Sequence, residues 1–323
     1  MRFATWESAG SVHSGVVSDA GLHPLPDNTT VLDLVRAGLP AALEAGARAL
    51  RGPAVRGDDG VRLLPPLAPP TVRDFVTFEE HVEGVRRSID GVGGVPAQWY
   101  EAPAFYFTNP YALVGAHDDV AVPPGSQRFD FELEVAAVVG RDGASLTPEQ
   151  ARESIFGYTI LNDWSARDLQ AREMKVNLGP AKGKDSATTL GPWLVTADEL
   201  EPYRDADGFL ALDMRVSVNG TEVGQDLLSN MSWPFEELVA YASRGTRVLA
   251  GDVLGSGTCG NGGCLAELWG RRGAQAPPPL RPGDVVEMTV EGIGTIRNRV
   301  VPGVDLPPVR PARHRPRIRK RTP

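Results

Sequence analysis

The stretch FDFELEVAAVVGR, Phe129 to Arg141, sets two glutamates one residue apart inside a run that otherwise reads as a buried β-strand. Side chains alternate faces along a strand, so Glu132, Glu134, Ala136 and Val138 share one face while Phe131, Leu133, Val135, Ala137 and Val139 share the other. The second set is core. Two neighbouring carboxylates on the first face repel, and burying even one unpaired charge costs on the order of several kcal/mol. A cation is therefore expected between them.

Further strands lie on both sides of this one. Residues 118–140 read as strands, and IFGYTILND as a strand running into a helix near SARD. GPWLVT, ALDMRVSVNGTEV with its Asn-Gly turn, and VVEMTVEGIGTIRNRVV are also strands. FEELVAYASR reads as a helix, and residues 71–90 as helical after Thr71. At the start, MRFATWES and SGVVSDAGLHPL read as short strands around a turn. TVLDLVRAGLPAALEAGARAL follows as a helix with Thr30 at its cap. Gly and Pro dominate from Gly52 to Pro70, which reads as a linker. Strands dominate in no strict βαβ order, so the fold expected is α+β: a β-rich body of mixed, twisted sheets behind a small N-terminal α/β module. The expected divisions are residues 1–68 for the small domain and its Pro-rich linker, 69–308 for the body, and 309–323 for a basic tail.

That tail matters to the charge balance. The chain has 323 residues and a net charge of −8, yet its last fourteen, RPARHRPRIRKRTP, carry seven Arg or Lys. Without them 26 basic residues face 41 acidic ones, a balance of −15. An acidic body argues against nucleic acid as the main partner, and a Pro-rich basic end without apolar residues to bury reads as disordered and solvated. No apolar run approaches the roughly 18 residues that a membrane span needs, and no basic start leads into an apolar core. The expected location is cytoplasmic, with no membrane partner. Cys259 and Cys264 fit no disulfide scaffold or common zinc spacing and read as free thiols.

Asp163, in LNDWSARDLQ, stands where a strand gives way to a helix. With Glu132 and Glu134 it makes three carboxylates on rigid elements, a set that suits a hard divalent ion such as Mg²⁺. A plainer reading has Asp163 or Ser165 capping the helix, with Ser165 and Asp168 as a capping box, but it leaves the paired glutamates unexplained. RDFVTFEEHVEGVRRS adds Asp74 and His81, seven apart and on nearly one face if the whole segment is helical. GPAKGKD is one residue short of a phosphate-binding loop and ends in Asp, and GSGTCGNGG lacks the GK[ST] that would follow; both read as tight turns.

Taken in order, RDFVTFEEH, FELEVAAVVG, GYTILNDWSARDLQ, GKDSATTLGPWLV, GSGT and GDVVEMTVEGIGTIRN resemble the fumarylacetoacetate hydrolase family over roughly residues 70–303. The resemblance implies a Mg²⁺ site, open also to Mn²⁺ or Ca²⁺, at Glu132, Glu134 and Asp163, with Asp74 as a fourth carboxylate. It implies His81 as general base, Glu267 orienting it through a hydrogen bond, and Lys184 neutralising developing charge. Arg167, Gln170, Thr258 and Tyr106 fall on substrate-side positions. It also implies a homodimer and a small dioxo or oxo acid as substrate.

The activity so implied is hydrolysis of a carbon–carbon bond in a 2,4-dioxo acid or related 1,3-diketone, in which the metal stabilises an enolate. Decarboxylation, isomerisation or hydration uses the same logic, and a catalytically inactive small-diacid binding protein is a further alternative. The chain departs from the fumarylacetoacetase pattern at three places: Val76 and Met174 replace tyrosines, and Asp90 stands where an arginine is expected, with Arg86 or Arg87 as substitutes. The first two changes predict a smaller or more apolar acyl end.

Overall fold

The computed structural model describes residues 1–56, 60–315 and 317, and for Ile89 and Asp90 it describes the helical backbone alone. Part of the expected linker and most of the end of the basic tail lie outside the described residues. Residues 302–315 have no regular secondary structure.

The Leu133–Val139 strand is buried along its whole length because its two faces feed two different cores. Leu133, Val135, Ala137 and Val139 join Met214, Val216, Val286 and Met288 in the larger core, while Ala136 and Val138 pack with Phe3, Val16, Val35 and Leu194 in the second. The face that carries the glutamates is thus core as well, beyond Glu134. An antiparallel sheet covered on both faces needs such a continuous apolar run.

Around that strand runs an eleven-stranded sheet in the order Gly21–Pro24, Ser11–Ser18, Arg2–Ser8, Thr188–Thr196, Ile155–Asp163, Leu133–Val139, Val253–Gly255, Val72–Phe75 and Phe105–Thr108. Two short strands pair off this path, Arg62–Leu64 with Arg2–Ser8 and Leu113–Val114 with Thr188–Thr196. A second sheet of five strands has the order Thr221–Leu227, Asp213–Val218, Val285–Val290, Gly294–Val301 and Val120–Ala121. The mixed α+β, strand-rich architecture expected from the sequence is present. The strand path is open at both ends, so among the described residues no closed barrel forms.

Several local readings change. Residues 72–75 form a strand, and the helix begins only at Glu79. Val72 and Phe75 are buried there, and the segment pairs with Val253–Gly255 on one side and Phe105–Thr108 on the other. Tertiary pairing overrides the helical period, so Asp74 and His81 do not share a helix face. The N-terminal helix is two helices, Val31–Ala37 and Leu39–Ala49, broken at Gly38, whose φ of 88° no helix accommodates. Thr30 caps the first as expected, in a capping box with Asp33. The capping reading of SARD fails: Ala166 precedes the Arg167–Met174 helix without a side-chain cap. Ser165 lies in a short strand opposite Asp130, and the Asp168 carboxylate accepts from Ser126 Oγ at 2.8 Å and Gln127 N at 2.6 Å. The Gly52–Pro70 stretch is more than a linker, since Arg62–Leu64 within it joins the sheet. Among the described residues no helix is long and apolar enough to cross a membrane.

Candidate active site

Four strand ends meet where the acids lie. Glu132 directly precedes its strand; its N–H donates to Asn162 Oδ1 at 3.0 Å and its carbonyl accepts from Asp163 N at 3.3 Å, which sets Glu132 beside the end of the Ile155–Asp163 strand. Asp74 is opposite Gly255 in the neighbouring parallel pair. A Cβ on Gly255 would stand 2.7 Å from Asp74 Oδ1 and 2.8 Å from Glu134 Oε2, so only glycine lets these two carboxylates approach. Asp74, Glu132, Glu134 and Asp163 are all buried and each offers an oxygen within 4.8 Å of the others'.

The protein itself supplies part of the positive charge that the sequence demands. Lys184 Nζ donates to Glu132 Oε2 and, at 2.6 Å, to Asp163 Oδ2; Arg167 Nη2 lies 2.7 Å from Glu132 Oε1. Burial alone would raise Glu132, but Lys184 and Arg167 together pull its carboxyl below the ordinary range. Its neighbours go the other way. Burial and the adjacent Asp163 push Asp74 up to about 8, and burial with Asp74 raises Glu134 well above the usual value. Asp163 is raised by burial against the pull of Lys184. Two of the oxygens, Asp74 Oδ1 and Asp163 Oδ1, are buried with no hydrogen-bond partner. An all-oxygen set of four carboxylates with orphaned lone pairs fits a hard divalent cation.

His81 sits in the first turn of the Glu79–Asp90 helix, and its Nδ1 is 3.7 Å from Cys264 Sγ. Burial, helped by Arg167 and Lys184, holds the imidazole down to about 4, so it is neutral at neutral pH. Glu267 lies on the Leu265–Arg272 helix, packed against the His81 helix through Gly84 and Gly270. Among the described residues no hydrogen bond joins His81 to Glu267, which corrects the expected orienting contact. The Glu267 carboxylate accepts from Gly262 N at 3.2 Å and Arg271 Nη1 at 3.1 Å, and burial pushes it up to about 7. The link between the two residues is Cys264, whose sulfur faces His81 and accepts from Glu267 N at 3.4 Å.

These groups surround a cavity of about 330 Å³. Asp74, His81, Tyr106, Glu132, Arg167, Gln170, Lys184 and Thr258 line it; Glu134, Asp163 and Glu267 do not. The Tyr106 hydroxyl donates to Asp163 Oδ2, Thr258 Oγ1 donates to Glu134 Oε1 at 3.4 Å, and Gln170 Oε1 accepts from Arg167 Nη1 at 3.1 Å. Val76 is on the wall as expected, beside Val82, Val85, Phe105 and Pro180, and Arg86 is there too. Met174 is not: it is 44% exposed and its sulfur lies near Gly179.

Two acids that sequence reasoning passed over hold the site together. Asp130 accepts from Arg167 Nε at 2.8 Å and from Leu265 N and Ala266 N at 2.9 and 3.0 Å, tying the guanidinium to the start of the Glu267 helix. Its signal was present, because Asp130, Glu132 and Glu134 share one parity. Glu173 accepts from Ala181 N, Lys182 N and Gly183 N at 2.7, 2.8 and 3.0 Å, closing the loop that delivers Lys184.

The family model for the fumarylacetoacetate (FAA) hydrolase C-terminal region matches residues 71–301. The oxaloacetate tautomerase YisK of Bacillus subtilis is 31% identical over 214 residues, covering 64% of this chain and 64% of that protein. A fumarylacetoacetate hydrolase from psychrophilic Exiguobacterium antarcticum aligns in structure with a TM-score of 0.71 at 27% identity, over 94% of this chain and all of that one. The fold is also that of a maleylpyruvate hydrolase from Sphingobium, solved with manganese(II) and pyruvate, at 23% identity and a TM-score of 0.68 over 94% of this chain and 100% of the other. With a match over most of its length and the acid cluster in place, this chain belongs to the fumarylacetoacetate hydrolase family.

Proposed function

We propose that the protein is a divalent-metal-dependent hydrolase that splits a carbon–carbon bond in a 2,4-dioxo acid of the acylpyruvate type. The observation that carries this reading is a buried imidazole, His81, on the wall of the cavity that holds the four-carboxylate cluster. Mg²⁺, or Mn²⁺ or Ca²⁺, held by Asp74, Glu132, Glu134 and Asp163 would supply Lewis-acid stabilisation of negative charge. The His81 Nδ1 side faces Cys264, which leaves Nε2 to take a proton from water. The water oxygen bonds to the acyl carbonyl carbon, the bond to the next carbon breaks, and its electron pair goes to the oxo-acid fragment, which is then protonated. The products are a carboxylic acid and a 2-oxo acid. Lys184 and Arg167, fixed by their carboxylate partners, face that developing charge, while Gln170 and Thr258 orient the substrate carboxylate. Proton transfer within an oxo acid is the second reading, favoured by the likeness to a tautomerase, and it needs no attacking water.

The wall formed by Val76, Val82, Val85 and Phe105 suits an apolar acyl end and offers no hydroxyl to a charged one. The test measures kcat/KM side by side for fumarylacetoacetate and a series of acylpyruvates with Mg²⁺. Fumarylacetoacetate ahead by about tenfold or more sinks the substrate reading, since an apolar pocket discriminates by only about 10- to 200-fold per methylene. His81→Ala should lose about 10²- to 10⁴-fold in hydrolysis; near-normal turnover transfers the reading to a reaction without activated water. Calorimetry on Glu132→Ala should show weakened Mg²⁺ binding, and unchanged affinity overturns the metal assignment. By resemblance the assembly is taken as a homodimer, which sedimentation can check.

A further inference from the structure

Behind the carboxylate cluster is a second group of donors with a different chemical character. His81, Cys264 and Glu132 are all buried, and one ligand atom of each lies within 4.8 Å of the other two. Zinc bonds of about 2.3 Å to sulfur and 2.0–2.1 Å to nitrogen, opened at a tetrahedral angle, place the sulfur and nitrogen about 3.6 Å apart. The observed Cys264 Sγ to His81 Nδ1 distance is 3.7 Å. The pair already has the bite that the ion needs.

We propose that Cys264, His81 and Glu132 form a zinc site distinct in chemistry from the carboxylate site, sharing only Glu132 with it. Thiolate and imidazole select Zn²⁺ or Co²⁺ over Mg²⁺, while the oxygen cluster selects the hard ion. Cys264 is also the N-cap of the Leu265–Arg272 helix, where its sulfur accepts from Glu267 N at 3.4 Å and is held facing His81. Burial keeps the free thiol protonated, and the ion displaces that proton, so binding adds a net charge of +1 beside Lys184 and Arg167 rather than +2. His81 and Glu132 both line the cavity, which gives the ion an entry path.

Occupation has a chemical consequence. A metal on Nδ1 leaves the ring's single proton on Nε2, and a protonated Nε2 has no lone pair with which to accept one from water. Zinc therefore switches off the base while leaving Asp74, Glu134 and Asp163 untouched. This inhibitory consequence rests on the reading of His81 as general base; the site itself does not.

The experiment separates the two. Full-length protein saturated with Mg²⁺ is titrated with Co²⁺ as a spectroscopic probe, then with Zn²⁺ in competition. The result expected is a thiolate-to-cobalt charge-transfer band in the near ultraviolet that Zn²⁺ removes, kept in Cys259→Ser and lost in Cys264→Ser. His81→Ala should weaken Co²⁺ binding by more than about tenfold, since even outer-shell partners are worth about 10- to 100-fold in affinity. No band in the native protein, or a band that survives Cys264→Ser, overturns the site. A band without zinc inhibition leaves the site standing and removes His81 as the base.

Discussion

Gly270→Ala tests whether the contact between two helices places His81, the base proposed above. Ordinary helix propensity says that the change should help, by up to about 1 kcal/mol. The structure says otherwise. A Cβ at Gly270 would lie 1.9 Å from the carbonyl oxygen of Gly84 and 2.9 Å from Ser88 N, both backbone atoms that cannot rotate away. An ordinary carbon–oxygen contact is about 3.3 Å or longer, so the helices must separate by roughly 1.4 Å. Overpacking of this kind costs about 1–3 kcal/mol, and the upper end applies where backbone meets backbone. The net expectation is about 2 kcal/mol of destabilisation, a fall of about 3 °C in Tm for a chain of this length. The functional effect should be larger. Gly84 is three residues from His81 on the same helix, and a misplacement near 1 Å costs about 100-fold, here chiefly in kcat. The assay is thermal unfolding by circular dichroism beside steady-state kinetics on whichever oxo acid the substrate comparison proposed above shows to be turned over. A variant that melts higher than the native protein and retains its kcat refutes the reasoning.

Further outcomes follow from contacts elsewhere. Thr30→Ala should cost about 1 kcal/mol through the lost cap. The cap hydrogen bonds hold Asp33 below its ordinary 3.8, so that contribution is full above this pH and fades as pH falls through the lowered value; a penalty in urea melts that grows on acidification contradicts this. Asp252→Ala removes the carboxylate 3.0 Å from buried Arg73, and breaking a buried pair costs about 3–5 kcal/mol; chemical denaturation should read that loss, and a change below about 1 kcal/mol tells against it. Glu173→Ala releases three backbone N–H groups, so limited proteolysis should cut faster within residues 176–183, with a fall in kcat/KM because Lys184 is no longer held in place. Unchanged cleavage there rules out the clamp.

The acid cluster was legible because burial makes charge conspicuous: two glutamates on the period of a strand demand an explanation. The same parity argument reached Glu132 and Glu134 but stopped short of Asp130, whose partners, Arg167 and the N–H groups of Leu265 and Ala266, are distant in sequence. Residues 72–75 were misread because Val72 and Phe75 have the i, i+3 spacing of a helix face, and only pairing with two distant strands, with both faces of the segment buried, makes it a strand. The Arg62–Leu64 strand hid in Pro-rich surroundings for the same reason. Cys264 read only as a free thiol, with no part in the site, since its two neighbours, His81 and the Glu267 N–H, meet only once two helices pack. Met174 was placed on the cavity wall by analogy of position alone, and helix geometry turns it outward.

The pairing of the first strand has a consequence for synthesis. Arg2 and Phe3 pair opposite Val195 and Leu194, so the strand that carries them waits during synthesis for one about 190 residues later. At about 5–20 residues per second that delay is on the order of 10–40 s. The hairpin with Ser11–Ser18 shelters one edge, Arg62–Leu64 later covers Thr5–Glu7 on the other, and the stretch at Arg2 and Phe3 stays open until Leu194 and Val195 arrive. A nascent chain in that condition is a client for chaperones, and slowing translation before residue 196 should lower soluble yield more than slowing it afterwards.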